Sequence, residues 1–237
     1  MAFRSSAVTV QGASISADLV ATMPSGVASG DQLLALTTWD GFNTTVTPPS
    51  GWTQLELHNL SSPDGQTMYL WTKVATGSEG ATQTWNGQTK GVVGIIAAWS
   101  GRTSSALTSG QVVKTNSTAS NTSPISVSLT GVTASASDDI AVFVATDSVA
   151  TSQWSYSTIT NYTNQATGNS TDWASGNLQY RDNVSAGATG SLATTVTRSS
   201  GSGNAGWGGF VIRIPVASAG APAQARRRRM RLFGTGP

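Results

Sequence analysis

The chain has 237 residues, no cysteine, one histidine and charge on only 10% of positions, where an ordinary soluble domain carries charge on about a quarter. That composition excludes a disulfide scaffold, a thiol nucleophile, a cysteine-ligated metal and any site needing two imidazoles. The net charge of +2 hides an uneven distribution: Arg226 to Arg229 and Arg231 leave a body with 8 basic against 11 acidic residues, or −3, so the basic pI does not mark the whole chain as a nucleic-acid binder.

In chain order, apolar residues alternate or form short runs and never hold a helical period over three turns. Val8, Val10, Ile15, Ala17 and Leu19 suggest a strand pair. Leu33 to Leu36, then Leu55 and Leu57, then Met68, Leu70, Thr72 and Val74 follow. Val92 to Trp99 reads as a strand buried on both faces, too short to span a bilayer. Ile125, Val127 and Leu129, then Ile140 to Ala145, Leu192 to Val196, and Phe210 to Ile214 complete the series. Turn clusters such as Pro24-Ser25-Gly26, Pro48-Pro49-Ser50-Gly51 and Ser62-Pro63-Asp64-Gly65 separate them. This pattern predicts an all-β protein, a jelly-roll-like β-sandwich. No apolar segment follows Met1 to Ser6, so a secretory signal is not expected and the chain is expected to be made in a cytoplasm. The 33 serines and 33 threonines take over the solubilising role of charge, and 38% hydrophobic residues suffice for a core.

A weak repeat divides residues 1–216 into halves of about 1–105 and 106–216. Gly26 to Leu36 parallels Gly131 to Val144, and Gly51-Trp52-Thr53 parallels Gln153-Trp154-Ser155. Val74-Ala75-Thr76-Gly77 parallels Val184 to Gly187, and Gly91 to Ile96 parallels Gly206 to Val211. One sandwich fed by both halves is preferred over two tandem sandwiches. Residues 217–237 form an extended basic arm.

Catalytic signals are weak. His58 is read as a surface histidine sharing a face with Glu56. Asp138 and Asp139 are adjacent, so in a strand they point to opposite faces and cannot easily flank one bond; a structural role where a turn meets a strand is expected, as for Asp31. Gly201-x-Gly203-x-x-Gly206 fits a dinucleotide fingerprint, but the following residues read as a strand and no acid occurs after Asp182. No catalytic, cofactor-binding or metal-binding residue is assigned. Most of the eight tryptophans are expected in the core or between subunits, and Trp173, in a polar stretch, is the candidate for an exposed glycan contact. In the arm, Arg226, Arg227, Arg228, Arg229 and Arg231 with Leu232 and Phe233 suit docking onto an acidic protein surface, the last two as apolar anchors. Direct nucleic-acid binding by these arginines is the lesser alternative.

The segments Pro24-Ser25-Gly26-Val27-x-x-Gly30-Asp31-x-Leu33-Leu34-Ala35, Pro49-Ser50-Gly51-Trp52-Thr53-x-Leu55 and Lys73 to Glu79 are similar to a β-sandwich module that recurs in tailed-bacteriophage virion proteins. The similarity covers about residues 20–101, with the second half a degenerate copy. It implies a virion context among head-decoration, head-fibre and minor tail proteins, and no functional residues travel with it. The expectation is a non-enzymatic, oligomeric virion protein on the particle exterior, contacting major capsid or tail proteins and no membrane. Capsid decoration is preferred to a minor tail or tail-fibre role, since no shaft or heptad repeat is seen. A host-glycan-binding module is the runner-up and an enzyme a distant third.

Overall fold

The structure, a computed structural model, describes residues 3–12, 17–41, 44–60, 65–89, 91–102, 105–115, 123–147, 153–170, 174–199 and 205–217. The first half contributes β1 (Phe3–Gln11), β2 (Ala17–Thr22), β3 (Gln32–Asp40), β4 (Thr53–Leu60), β5 (Gln66–Val74), β6 (Thr82–Thr89) and β7 (Val92–Trp99). The second contributes β8 (Val112–Thr115), β9 (Ile125–Thr130), β10 (Thr133–Ala134), β11 (Asp139–Asp147), β12 (Trp154–Tyr156), β13 (Thr163–Asn169), β14 (Ala174–Arg181), β15 (Gly187–Ala188), β16 (Ser191–Arg198) and β17 (Trp207–Ile214). All pairings are antiparallel, and the expected all-β sandwich is what forms.

No sheet mixes strands of the two halves. The first half makes a five-stranded sheet of order β1-β7-β3-β5-β4, and the second one of order β8-β17-β11-β14-β13. These orders superimpose strand for strand, and so do details. The ladder shifts register between Gln54 and Glu56 in β4 and between Asn164 and Ala166 in β13, the same place in each unit. Gly94 and Gly209 stand at one position, and a Cβ on either would strike the leucine, Leu19 or Leu129, that the outer layer drives onto it. The outer layer is β2-β6 in the first half and β12-β16-β9 in the second.

Four layers result, with three seams of core. The two five-stranded sheets face each other over Leu34, Leu36, Leu70, Ile95, Phe143, Leu178, Phe210 and Ile212. Each sheet's other face packs on its own outer layer, around Trp39, Trp71 and Trp85 in one half and Val142, Trp154 and Val211 in the other. Burial on both faces is why β3, β7, β11 and β17 carry nearly unbroken apolar runs. Across the central seam β1 lies over β13, and β4 over β8. Because β1 corresponds to β8 and β4 to β13, the halves meet as two subunits of a twofold dimer would.

The register also corrects the repeat. The turn that closes Trp52 N onto Pro49 O at 3.2 Å recurs as Tyr162 N onto Ile159 O at 2.9 Å, with Gly51 and Asn161 both left-handed at φ +81° and +66°. The counterpart of Gly51-Trp52-Thr53 is therefore Asn161-Tyr162-Thr163, and Trp154 lies instead on β12, a strand that the first half lacks. Similarly Ala75, not Val74, matches Val184: each donates its N–H at 2.8 Å to the carbonyl of the turn aspartate, Asp31 or Asp138.

Candidate functional site

The sequence-derived contacts Trp173, Arg226, Arg227, Arg228, Arg229, Arg231, Leu232 and Phe233 lie outside the described residues. Among the described residues the polar side chains divide into structural sets, each traceable to its place in the duplicated fold.

The adjacent carboxylates do point opposite ways. Asp138 Oδ2 accepts from Ser135 N at 2.7 Å and meets Arg213 at 3.2 Å, tightening the turn before β11. Asp31 does the same before β3, accepting from Ala28 N at 2.8 Å and pairing with Arg4 at 2.7 Å. Asp139 faces the central seam, where Arg102, just beyond β7, meets it at 2.5 Å and Asn183 N donates at 2.9 Å. Both partners are sealed from water, and Arg102 Nη1 also donates to Ser137 O at 2.9 Å. Arg102 thus fastens the end of the first half onto the second. Burial, the largest influence, pushes Asp139 up to about 6, against the opposing pull of the Asn183 N–H and Arg102.

His58 is not on the surface. Glu56 and His58 share a face, as alternation requires, but the second half covers that face, and His58 packs against Gly208 of β17. Burial, aided by the nearby Lys114 charge, holds His58 below its usual 6.5. A depressed histidine adds stability that is complete above pH 6.5 and is lost as pH falls below it, because the unfolded chain then binds the proton first. Chemical denaturation of wild type and His58→Gln between pH 5 and 8 checks this: the substitution flattens the fall in stability below pH 6.5.

The tryptophans Trp39, Trp52, Trp71, Trp85, Trp99, Trp154 and Trp207 are all buried, and several are tied by their indole N–H. Trp39 and Trp71 both donate to Thr37 Oγ1 at 2.9 Å, and Trp52 to Gln83 at 3.1 Å. Gly206 leads directly into strand β17, so the glycine-rich motif has no helix behind it to receive a pyrophosphate. Among the described residues no group of three or more His, Asp or Glu side chains could hold a metal ion, and no helix is long and apolar enough to cross a membrane.

No family model, no curated protein and no solved structure matches the chain.

The sequence reading missed a hydroxyl and amide cluster beneath β12. Tyr156 Oη lies 2.9 Å from Thr146 Oγ1 and 2.5 Å from Ser175 Oγ, and Thr146 and Ser175 also contact each other. Nearby, Gln179 donates to Ser157 O and Asn177, and accepts from Ile159 N at 2.7 Å. Burial pushes Tyr156 up to about 12, so it stays protonated and serves as a hydrogen-bonding strut. At corresponding positions the first half has Trp39, Thr67, Tyr69 and Trp71. One scaffold therefore tolerates an aromatic filling and a polar one, provided each polar group is satisfied.

Proposed function

We propose that the chain is a non-enzymatic structural protein of a tailed-bacteriophage particle, displayed on the exterior and oligomeric, with capsid decoration or cementing as its position. The observation carrying this reading is how the described residues spend their chemistry: seven tryptophans are sealed in the core, and five ion pairs tie the protein's own strands and turns together. What faces water is largely neutral hydroxyl. Ser126, Ser128, Thr130, Ser155, Ser191 and Thr197 cover the outer face of β12-β16-β9. Such a shell suits packing beside copies and neighbours with little electrostatic penalty. The residues carrying the family similarity fall on turns and core strands, which agrees with a scaffold role. Burial of the other seven tryptophans leaves Trp173 as the remaining support for a glycan-binding module.

Removing residues 217–237 tests the reading. Particles assembled with the truncated protein are expected to lose most of its density by electron microscopy, while the isolated body keeps its melting temperature. Undiminished occupancy on the capsid surface would overturn the docking role of the arm, and density confined to the tail would replace decoration by a tail position.

A further inference from the structure

The duplication allows the two halves to be compared position by position, and one pair of side chains has lost its partners in the second copy. In the first half Trp52 and Lys73 sit side by side where β4 begins and β5 ends. Trp52 is capped by Gln83, and Lys73 lies 3.6 Å from Glu79 and donates to Ser50 O at 3.5 Å. Every polar group of that pair is answered from within the same half.

The corresponding pair in the second half is Tyr162 and Arg181, opposed one ladder step beyond Thr163 and Tyr180. Here the answering groups are gone. The loop 76–80, which carries Glu79, is represented by the shorter Ser185-Ala186-Gly187, and no Asp or Glu follows Asp182 anywhere in the chain. Gln83 corresponds to Gly190, by the registers of β2 with β6 and β9 with β16. Tyr162 is 8% exposed, and its hydroxyl, sealed from water, has no hydrogen-bond partner among the described residues. Arg181 is exposed and forms no ion pair among them. The space is a cavity of about 260 Å³ lined by Thr160, Asn161, Tyr162, Arg181, Thr189 and Ser191 together with three apolar side chains. Burial pushes the Tyr162 hydroxyl up to about 12, against the pull of Arg181, so it remains a donor.

We infer that this cavity binds a small hydroxylated carboxylate, up to the size of one sugar acid, with its carboxylate on Arg181 in the role Glu79 plays toward Lys73 in the first half. A guanidinium presents paired donors that match a carboxylate's two oxygens, and it keeps its charge at any working pH. The hydroxyls of Thr160, Thr189 and Ser191 supply the donors and acceptors that a polyol needs. The volume corresponds to roughly nine waters at liquid density, which admits a monosaccharide and rejects a longer chain unless it projects into solvent. This inference does not depend on the virion reading.

The test is titration of the full-length protein with glucuronate, glucose and inorganic phosphate, followed by amide NMR shifts and calorimetry. Glucuronate is expected to bind saturably and to shift the amides around 160–162 and 181, with glucose at least tenfold weaker. Arg181→Gln is expected to weaken glucuronate tenfold or more, while Tyr162→Phe, whose hydroxyl the ligand does not reach, is expected to leave it nearly unchanged. Lys73→Gln, at the answered counterpart, is expected to leave binding unchanged. Glucuronate binding that is absent, matched by glucose, or unaltered in Arg181→Gln overturns the assignment. Tighter binding of phosphate than glucuronate overturns the carboxylate class. Circular dichroism of Arg181→Gln, a surface substitution, confirms that lost binding is not lost folding.

Discussion

Arg102→Met is expected to destabilise the protein by about 3–5 kcal/mol at pH 8, the usual cost of leaving a buried charge unpaired, and by far less at pH 5. The asymmetry follows from Asp139. Its carboxyl is already raised from 3.8 to about 6 because burial outweighs the help of Arg102 and the Asn183 N–H. A raised carboxyl contributes stability that is fully present below its unfolded value and is lost as pH rises through its folded value, here between 3.8 and about 6. Without Arg102 the folded value climbs further. At pH 5 Asp139 then simply carries its proton, and the loss reduces to the hydrogen bond to Ser137 O plus some packing, about 1–2 kcal/mol. At pH 8 the folded chain must either bury a lone carboxylate or take a proton from dilute solution. Adding Asp139→Asn to Arg102→Met removes that burden, so the double variant should be more stable than Arg102→Met at pH 8 and nearly equal to it at pH 5. Urea midpoints at the two pH values decide the matter. An equal loss at both, or a double variant worse than the single at pH 8, would show that Arg102 is not the counter-charge of Asp139. His58 contributes in the opposite sense, gaining stability as pH rises to 6.5, so the two contributions offset each other where their pH ranges overlap.

The sequence disclosed those parts of the fold whose burial is written in apolar side chains. Strands β3, β7, β11 and β17 are sandwiched between two packed faces, and their hydrophobic runs announce it. Strand β14, Ala-Ser-Gly-Asn-Leu-Gln-Tyr-Arg, passed unnoticed. One of its faces is core, through Ala174, Leu178 and Tyr180, but the other buries Ser175, Asn177 and Gln179 in a polar network that looks like a loop in composition. Edge strand β13 is similarly silent. The rare indole pairs Trp52 with Trp154 in sequence, but the fold does not keep that correspondence. The true counterpart preserved only conformation, left-handed Gly51 against left-handed Asn161, and a change from indole to phenol. The Arg102–Asp139 pair joins residues 37 positions apart across two sheets, a distance at which local pattern carries no information. The Tyr162–Arg181 cavity was out of reach for the same reason. It becomes visible when the halves are superimposed and two missing answering groups are noticed.

That superposition also exposes how the central seam is made one-directional, and Gly208→Val is the sharpest probe of it. In the twofold-like pairing, Val93 of β7 and Gly208 of β17 are equivalent, as are His58 and Met68 of the first half with Gly168 and Gly176 of the second. At one end of the seam Val93 leans on Gly168, whose missing Cβ would lie 2.6 Å from it. At the other end, Gly208 leaves room for His58, Leu60 and Met68, which a Cβ would meet at 2.6, 2.6 and 3.0 Å. The first half supplies the bulk at both ends and the second half the glycines. Two copies of the first half would clash, and two of the second would leave voids, so the seam accepts one half of each kind. Gly208→Val is expected to cost about 3 kcal/mol, at the upper end for overpacking a core, read as a drop in urea midpoint. His58→Gly with Met68→Gly should also be costly, by opening a cavity. Combined, the three changes bring this end close to the arrangement at the other, a valine resting on two glycines, once Leu60 turns its Cδ2 aside. The triple variant should therefore be clearly more stable than the sum of the separate losses predicts, because residues in direct contact do not contribute independently. Simple additivity would mean that Leu60, not His58 and Met68, sets the space Gly208 leaves, and the steric basis for pairing unlike halves through those two residues would fall with it.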